Sequence, residues 1–249
     1  MLQDPGHERA DRGSLHWLEL GISQLDHGLP AELSQAIGMP IWRFEPLGSE
    51  LFPVGESPFR ARGLSYTNAL DYVQRKTPGG RAACFARLGN GPFRSYFDQL
   101  FLAAGDYDAA PLLALFVVAA DLEHVPVGRF IEARSRASAR IDAETTSRHM
   151  LRTASPELMA ARLPVAFNRY FEPCQASVSR IGPSGFDGEL SNIPVAMSGL
   201  YVHSTNGFVS RALELAGAKG VRLEWQQPES DGDSWDVRVE RVRFRASWD

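Results

Sequence analysis

Histidine and cysteine carry most nucleophilic, acid–base and metal chemistry near neutral pH, and this chain spaces its own far apart. His124, His149 and His203 have no histidine partner three or four residues away, so a zinc-type cluster is not written into the spacing. Asp121 and His124 stand at i and i+3, which places two ligand types on one helix face; a histidine at a helix end beside an acid explains the same pair. Cys174 follows Pro173 at a helix-to-strand junction, and His203 lies on the next helix. That is the raw material of a Cys–His pair, yet no Gly-rich elbow accompanies it, and a buried structural thiol is the simpler account. Glu123, Glu132, Asp142 and Glu144 read as charged faces or helix ends rather than as a carboxylate pair in a cleft. Gly182-x-x-Gly185 sits between two strands and opens no helix, so it is no phosphate cradle.

Binding chemistry has better material. Asn168, Tyr170, Tyr201, His203 and Asn206 interrupt stripes that are otherwise apolar, and polar groups facing an apolar cavity are what orients a small ligand. With Cys174 they form the candidate ligand-binding set. The alternative is that each sits at the edge of the core, hydrogen-bonded to backbone.

The elements that would position these residues follow from periodicity and capping. Leu64 to Arg75 reads as a helix stopped by Thr77-Pro78-Gly79-Gly80, Arg81 to Leu88 as a second, and Ser95 to Ala104 as a third closed by Gly105. Asp108 to His124 is apolar nearly all round, which assigns it to the centre of a domain. Val127 to Ile141 has a buried stripe of Val127, Phe130, Ile131, Ala137 and Ile141, with Arg129, Glu132, Arg136 and Arg140 on a solvated face. Ser155-Pro156-Glu157 is a sharp helix start; Leu158, Met159, Leu163, Ala166, Phe167 and Tyr170 face inward behind it, and Pro164 predicts a kink. Cys174 to Ile181 and Phe186 to Ile193 bracket a Gly-Pro-Ser-Gly turn as a hairpin. Val195 to Ala216 is the next helix, in which Gly207 marks a kink or a close contact. Val221 to Trp225 alternates as a strand, Pro228 to Ser234 is an acidic turn, and Trp235 to Phe244 is a strand with a bulge near Glu240 or Arg241. Arg238 and Glu240 are expected opposite Arg222 and Glu224 as a charge lattice.

Helices covering one face of a small antiparallel sheet make this an α+β fold, arranged helix–hairpin–helix–two strands at its C-terminal end. The sequence divides into an N-terminal extension or arm, residues 1–50, and an α+β ligand-binding-like domain, residues 51–249. The arm's Trp42 and Phe44, with Phe52 just beyond it, need a surface to bury against, which makes a homodimer a reasonable assembly. Of 249 residues, 44% are hydrophobic and 22% charged, enough for a full core, and the net charge of −4 argues against nucleic acid as a partner. Two cysteines cannot make a disulfide framework. The N-terminus lacks the apolar stretch of a signal peptide, and the longest apolar run, Ala109 to Leu122, is too short for a membrane span. A soluble, cytoplasmic protein is expected.

The runs SPELMAARLPVAFNRYFEP, ASVSRIGPSGF and GFVSRALELAGAKGVRLEW resemble a large paralogous family of myxobacterial proteins, and FPVGESPFRARGLSYTNALDYV resembles that family's N-terminal part. The family is similar to a wider α+β superfamily that includes the four-vinyl-reductase small-molecule-binding domain, the haem nitric-oxide/oxygen-binding domain and vesicle-tethering subunits of Golgi transport. The resemblance implies helices on a C-terminal antiparallel sheet with an apolar pocket between them, and no single function. The haem domain's Tyr-x-Ser-x-Arg motif is missing: Tyr201-x-His203-Ser204-Thr205 is no match. Haem therefore stays open as a cofactor but is not favoured, and no family site residue carries over. The expected function is a non-enzymatic small-molecule-binding or sensory module for an apolar ligand. The alternatives are a protein-interaction or tethering subunit with a filled core, and a small-molecule-modifying enzyme using His203 or Cys174.

Overall fold

A computed structural model describes residues 54–144 and 155–249; the N-terminal arm, with Trp42, Phe44 and Phe52, lies outside them, as does His149. Strand β1 (Arg60–Arg62) leads into helix α1 (Gly63–Lys76), which ends at Thr77, and α2 (Gly80–Leu88) follows the Pro-Gly-Gly break. The helix expected over Ser95–Ala104 does not form. Gly91-Pro92 starts a shorter helix earlier, α3 (Pro92–Tyr96), because proline is pre-shaped for a first turn. The residues after it form a loop pinned by aromatics: Phe101 stacks on Tyr66 at 4.3 Å, and Phe97 tilts against the same ring at 5.9 Å. Carbonyls of that loop then cap α1, since Gly63 N–H donates to Gly105 O and Leu64 N–H to Ala103 O. Tertiary aromatic packing and capping outweigh a weak local helix preference here.

Strand β2 (Asp106–Asp108) runs into the central helix α4 (Ala109–Leu122). Asp108 starts it, its carboxylate accepting from Ala110 N–H and Gly55 N–H at 2.9 Å each. The helix is buried on nearly every side, as its composition requires. Helix α5 (Val127–Glu144) buries Val127, Phe130 and Ile131 as expected, but Ala137 and Ile141 are only half-buried. Its polar positions are not all solvated either. Glu132 meets His203, Arg136 binds Glu214 through two contacts of 2.7 Å, and Arg134, Ser135 and Asp142 are buried. The stripe reads as polar because its partners are polar, which periodicity cannot reveal.

Helix α6 (Pro156–Asn168) begins where the Ser155 hydroxyl accepts from Leu158 N–H and contains Pro164 in its interior. It buries Met159, Leu163 and Ala166, while Leu158 is half exposed. Strand β3 (Phe171–Glu172) pairs with β1, and β1 with β2, as a three-stranded antiparallel sheet. The main sheet is antiparallel and five-stranded, in the order β4 (Gln175–Gly182), β5 (Gly185–Pro194), β8 (Val237–Ser247), β6 (Arg222–Trp225), with β7 (Glu229–Ser234) also pairing β8. A short 3₁₀ turn, Val195–Met197, separates β5 from helix α7 (Ser198–Leu215).

The chain is thus α+β, with seven helices among the described residues. The hairpin at Pro183–Ser184 forms where expected, with Gly182 opposite Gly185. The acidic stretch before Trp235 is a strand, not a turn. Glu229 pairs with Arg241 and Asp233 with Arg238, and the turn moves to Trp235–Asp236, both at positive φ (51° and 60°) as a type I′ hairpin demands. Acids alternating opposite arginines offset the poor strand propensity of Asp, Gly and Ser. The parity slip in β8 falls at Glu240–Arg241 as expected, but the extra residues belong to the flanking strands, at Ser191–Asn192 in β5 and Asp231 in β7. Strand β6 pairs with the far end of β8, Glu224 opposite Arg245, so Arg238 and Glu240 face β7 instead of Arg222 and Glu224. No single described helix is long and apolar enough to cross a membrane.

Candidate functional site

Between α1, α5, α6 and α7 on one side and the β4–β5–β8 surface on the other lies a cleft. Its cavity volume is about 60 Å³. Leu163 and Phe167 from α6, Phe208 and Val209 from α7, and Leu190 and Phe244 from the sheet make it mostly apolar. Four helices and a sheet meet here with a gap that side chains do not fill.

Polar side chains reach into this gap from α5 and α7. Arg134, Ser135, Asp142, Ser204 and Thr205 all line the cleft, and each is less than a tenth exposed. In every one of them at least one polar atom has no hydrogen-bond partner: Arg134 Nε and Nη1, the three hydroxyls, and Asp142 Oδ1. Burial pulls the Arg134 guanidinium down to about 10, against the supporting charges of Tyr170, Asp142 and Tyr72. Besides those charges it has the face of Phe116, 4.6 Å from the guanidinium carbon. A desolvated cation–π contact contributes about 2 kcal/mol, whereas burying an ion costs several kcal/mol, so the charge is under-compensated. Asp142 takes the Tyr170 hydroxyl on Oδ2. Burial raises its carboxyl above the ordinary value, with the Tyr170 hydrogen bond and Arg134 opposing. Buried orphan groups are rare in folded proteins because each costs about 1–3 kcal/mol. Several of them gather around this one cleft.

Of the six residues singled out from the sequence, the fold brings Cys174 and Tyr201 side by side and gives the other four separate partners. Tyr170 alone lines the cleft. Asn168 is exposed at the end of α6, where its Oδ1 accepts from Ala176 N–H at 2.9 Å and anchors the start of β4. Asn206 accepts from the Trp225 indole N–H at 3.2 Å and ties α7 to β6. Tyr201 is fully buried, packed edge-on against Phe171 at 4.8 Å, with its hydroxyl turned to the Cys174 thiol. His203 turns to α5: its Nδ1 lies 2.8 Å from Glu132 Oε1, and its ring occupies the space that a Cβ on Gly128 would need. Cys174 is 2% exposed and its Sγ donates to Asn192 O at 3.2 Å. His203 and Cys174 are therefore engaged by different partners, Glu132 and the β5 backbone, and neither lines the cleft.

Burial pushes the thiols of Cys174 and Cys84 up to about 12 each. We expect neither cysteine to react with iodoacetamide at about pH 8 in the native protein, because the thiolate is the nucleophile, and both to react after denaturation. Rapid labelling of native Cys174, read by peptide mass, would reopen a nucleophilic role.

Sequence reasoning missed Arg134, Ser135, Asp142, Ser204 and Thr205. A signal existed on α5, where positions 134, 135, 138 and 142 fall on one face at helical spacing. It was hidden because those residues share the helix with exposed arginines and acids. Haem chemistry needs a His, Cys, Met or Tyr ligand. No His, Cys or Met lines the cleft, and the Tyr170 hydroxyl is already bonded to Asp142. The residues present do not fit haem, and among the described residues no cluster of His, Cys, Asp or Glu suited to a metal ion occurs.

No family model matches the chain, and no curated protein matches it. Solved H-NOX structures do resemble it in fold. A Cs H-NOX variant carrying 4-cyano-L-phenylalanine superposes with a TM-score of 0.55 at 10% identity, covering 75% of this chain and 96% of that one. An Fe(II) unliganded H-NOX protein from K. algicida gives 0.54 at 13% identity, covering 76% and 96%. A mutant H-NOX from T. tengcongensis gives 0.50 at 11%, covering 74% and 93%. At these identities the likeness is one of fold.

Proposed function

We propose that this chain is a small-molecule-binding or sensory module that uses an H-NOX-like fold without haem. The observation that carries this is the set of buried, unpartnered polar side chains from α5 and α7 around one apolar cleft. A cofactor-free cavity of that make-up suits an organic ligand with an apolar body and a polar head. On this reading the ligand bridges α5 and α7 to the β4–β5 hairpin. Seating it would draw α7 toward the sheet and change the surface α7 offers a partner, the response a sensor needs. The setting we propose is cytoplasmic, as a homodimer made through the N-terminal arm.

Native mass spectrometry with an absorption spectrum of the freshly purified protein tests the proposal. The expected result is a small excess mass, released on denaturation, without visible haem absorption. A haem spectrum would overturn the haem-free assignment. A clean mass, together with no thermal stabilisation by any of a panel of small apolar acids, alcohols and amides, would overturn the ligand-binding reading itself.

A further inference from the structure

The two ionisable groups of the cleft sit at different places along it. Arg134 and Asp142 are eight residues apart on α5, about 12 Å of helix, and both line the cleft. They form no ion pair with one another: the guanidinium rests on Phe116 with Nε and Nη1 free, and Asp142 is bonded to Tyr170 with Oδ1 free. Leu163, Phe167, Phe208 and Val209 supply the apolar walls of the same cleft. Beyond Arg134 the surroundings are basic. A second, larger hollow of about 280 Å³ shares Asn68, Arg134 and Ser138 with the cleft, and its lining adds Arg75, Lys76 and Arg140 against Glu144 as its one acid.

Resting on the ligand-binding reading above, we infer that the ligand is a small organic acid with an apolar body, its carboxylate on Arg134 and a hydroxyl at its other end on Asp142 and Tyr170. A buried guanidinium without an acceptor is matched in charge and donor count by a carboxylate, which accepts two of its N–H groups side by side. Ser135, Ser204 and Thr205 add hydroxyl donors around the cleft. A neutral ligand would offer Nε and Nη1 of Arg134 no charged acceptor, and a cationic one would meet Arg134 and the basic hollow together. Asp142 Oδ1 is an acceptor with nothing to accept, so the far end of the ligand carries an O–H. The apolar walls between these ends exclude a purely polar metabolite.

Calorimetric titration of the full chain tests this with three compounds: para-hydroxyphenylpropionate, its methyl ester, and phenylpropionate. The expected result is binding of the hydroxylated acid, at least about tenfold weaker binding of the ester, and about fivefold weaker binding of the acid that lacks the hydroxyl. Arg134→Met should lose the acid's binding by more than about tenfold, and Arg134→Lys, which keeps the charge without the planar fork, should bind it several-fold more weakly. Ester binding as tight as acid binding, or full affinity in Arg134→Met, overturns the acid assignment and leaves the broader ligand-binding reading intact. Absence of binding by all three compounds also overturns this ligand class, while the copurified mass still decides the broader reading.

Discussion

Arg134→Met raises the melting temperature of the ligand-free protein by about 2–4 °C while impairing recognition of the acid. Arg134 is 6% exposed, it lacks an ion pair, and two of its nitrogens have no acceptor. Its contact with Phe116 recovers only part of the cost of desolvating the charge. Methionine keeps much of the unbranched bulk, retains a favourable contact with the Phe116 ring and needs no hydrogen bonds. Removing an uncompensated buried charge should therefore gain about 1 kcal/mol, which for a domain of about 200 residues is a rise of a few degrees. Asp142 loses the supporting charge of Arg134, which offsets part of this gain, but it keeps the Tyr170 hydroxyl and the field of Arg169. With ligand at about a hundred times its Kd the order reverses: the wild type gains about 2.7 kcal/mol by mass action, and the variant, binding more than tenfold more weakly, gains less than about 1.4 kcal/mol. Differential scanning calorimetry with and without ligand reads both halves. A loss of several degrees in the free variant would make Arg134 part of the structural core and remove the argument that it waits for an anion. The expected trade, stability given up for a binding group, is common at functional sites.

Gly207→Ala lowers stability by about 2 kcal/mol, or about 4–8 °C, although alanine is the better helix former. In an isolated helix the change would gain about 1 kcal/mol. Here α5 and α7 approach so closely that a Cβ on residue 207 would stand 2.3 Å from the Glu132 carbonyl oxygen and 2.9 Å from its Cα. Backbone cannot swing aside as a side-chain tip can, so the helices must separate, and overpacking of this kind costs about 1–3 kcal/mol. Separation would also disturb His203 against Glu132 and Arg136 against Glu214, which lie across the same helix pair. The matched control is Gly182→Ala, whose Cβ would meet only Gly185 O at 3.8 Å and should change stability by less than about 0.5 kcal/mol. Equal melting temperatures for the two variants, measured by circular dichroism, would show that the helix pair has slack. Because α5 and α7 also supply the polar groups of the cleft, Gly207→Ala should weaken ligand binding through position alone.

The charge pairs on the exposed face of the sheet act differently. Arg243 reaches Glu189 and Glu229 at 2.9 Å, and Arg245 reaches Asp187 at 3.0 Å. Such pairs are worth about 0–1 kcal/mol each. Their role is to select register: a one-residue slip of β8 would set its arginines against the core and Val242, Phe244 and Ala246 against water.

Much of this architecture is legible in the sequence because it depends on local chemistry. Ser155-Pro156 starts a helix since a hydroxyl and a proline suit the first turn wherever they occur. Gly182-Pro183-Ser184-Gly185 closes a hairpin, and the run from Ala109 to Leu122 is central because nothing in it tolerates water. The parity slip in β8 is visible as a change in apolar phase. Errors arose where a distant partner outweighed a local preference. The loop after α3 follows the Tyr66 ring and the exposed ends of α1, and β7 is a strand only because β8 offers arginines opposite its acids.

The candidate site divides along the same line. Sequence by itself determined that polar groups interrupt apolar stripes and that a helical layer covers a sheet; the room between them was only what the family resemblance implied. Sequence could not determine which interruptions face that room, because the direction of a side chain depends on the rotation of its helix against neighbours that are remote in sequence. His203, Asn206 and Asn168 found partners on α5, β6 and β4, and Cys174 and Tyr201 went into the core, whereas Arg134 and Asp142, indistinguishable from surface charges in the sequence, were turned inward. Composition sets how many polar groups a fold must accommodate; only tertiary packing decides which of them are left without a partner.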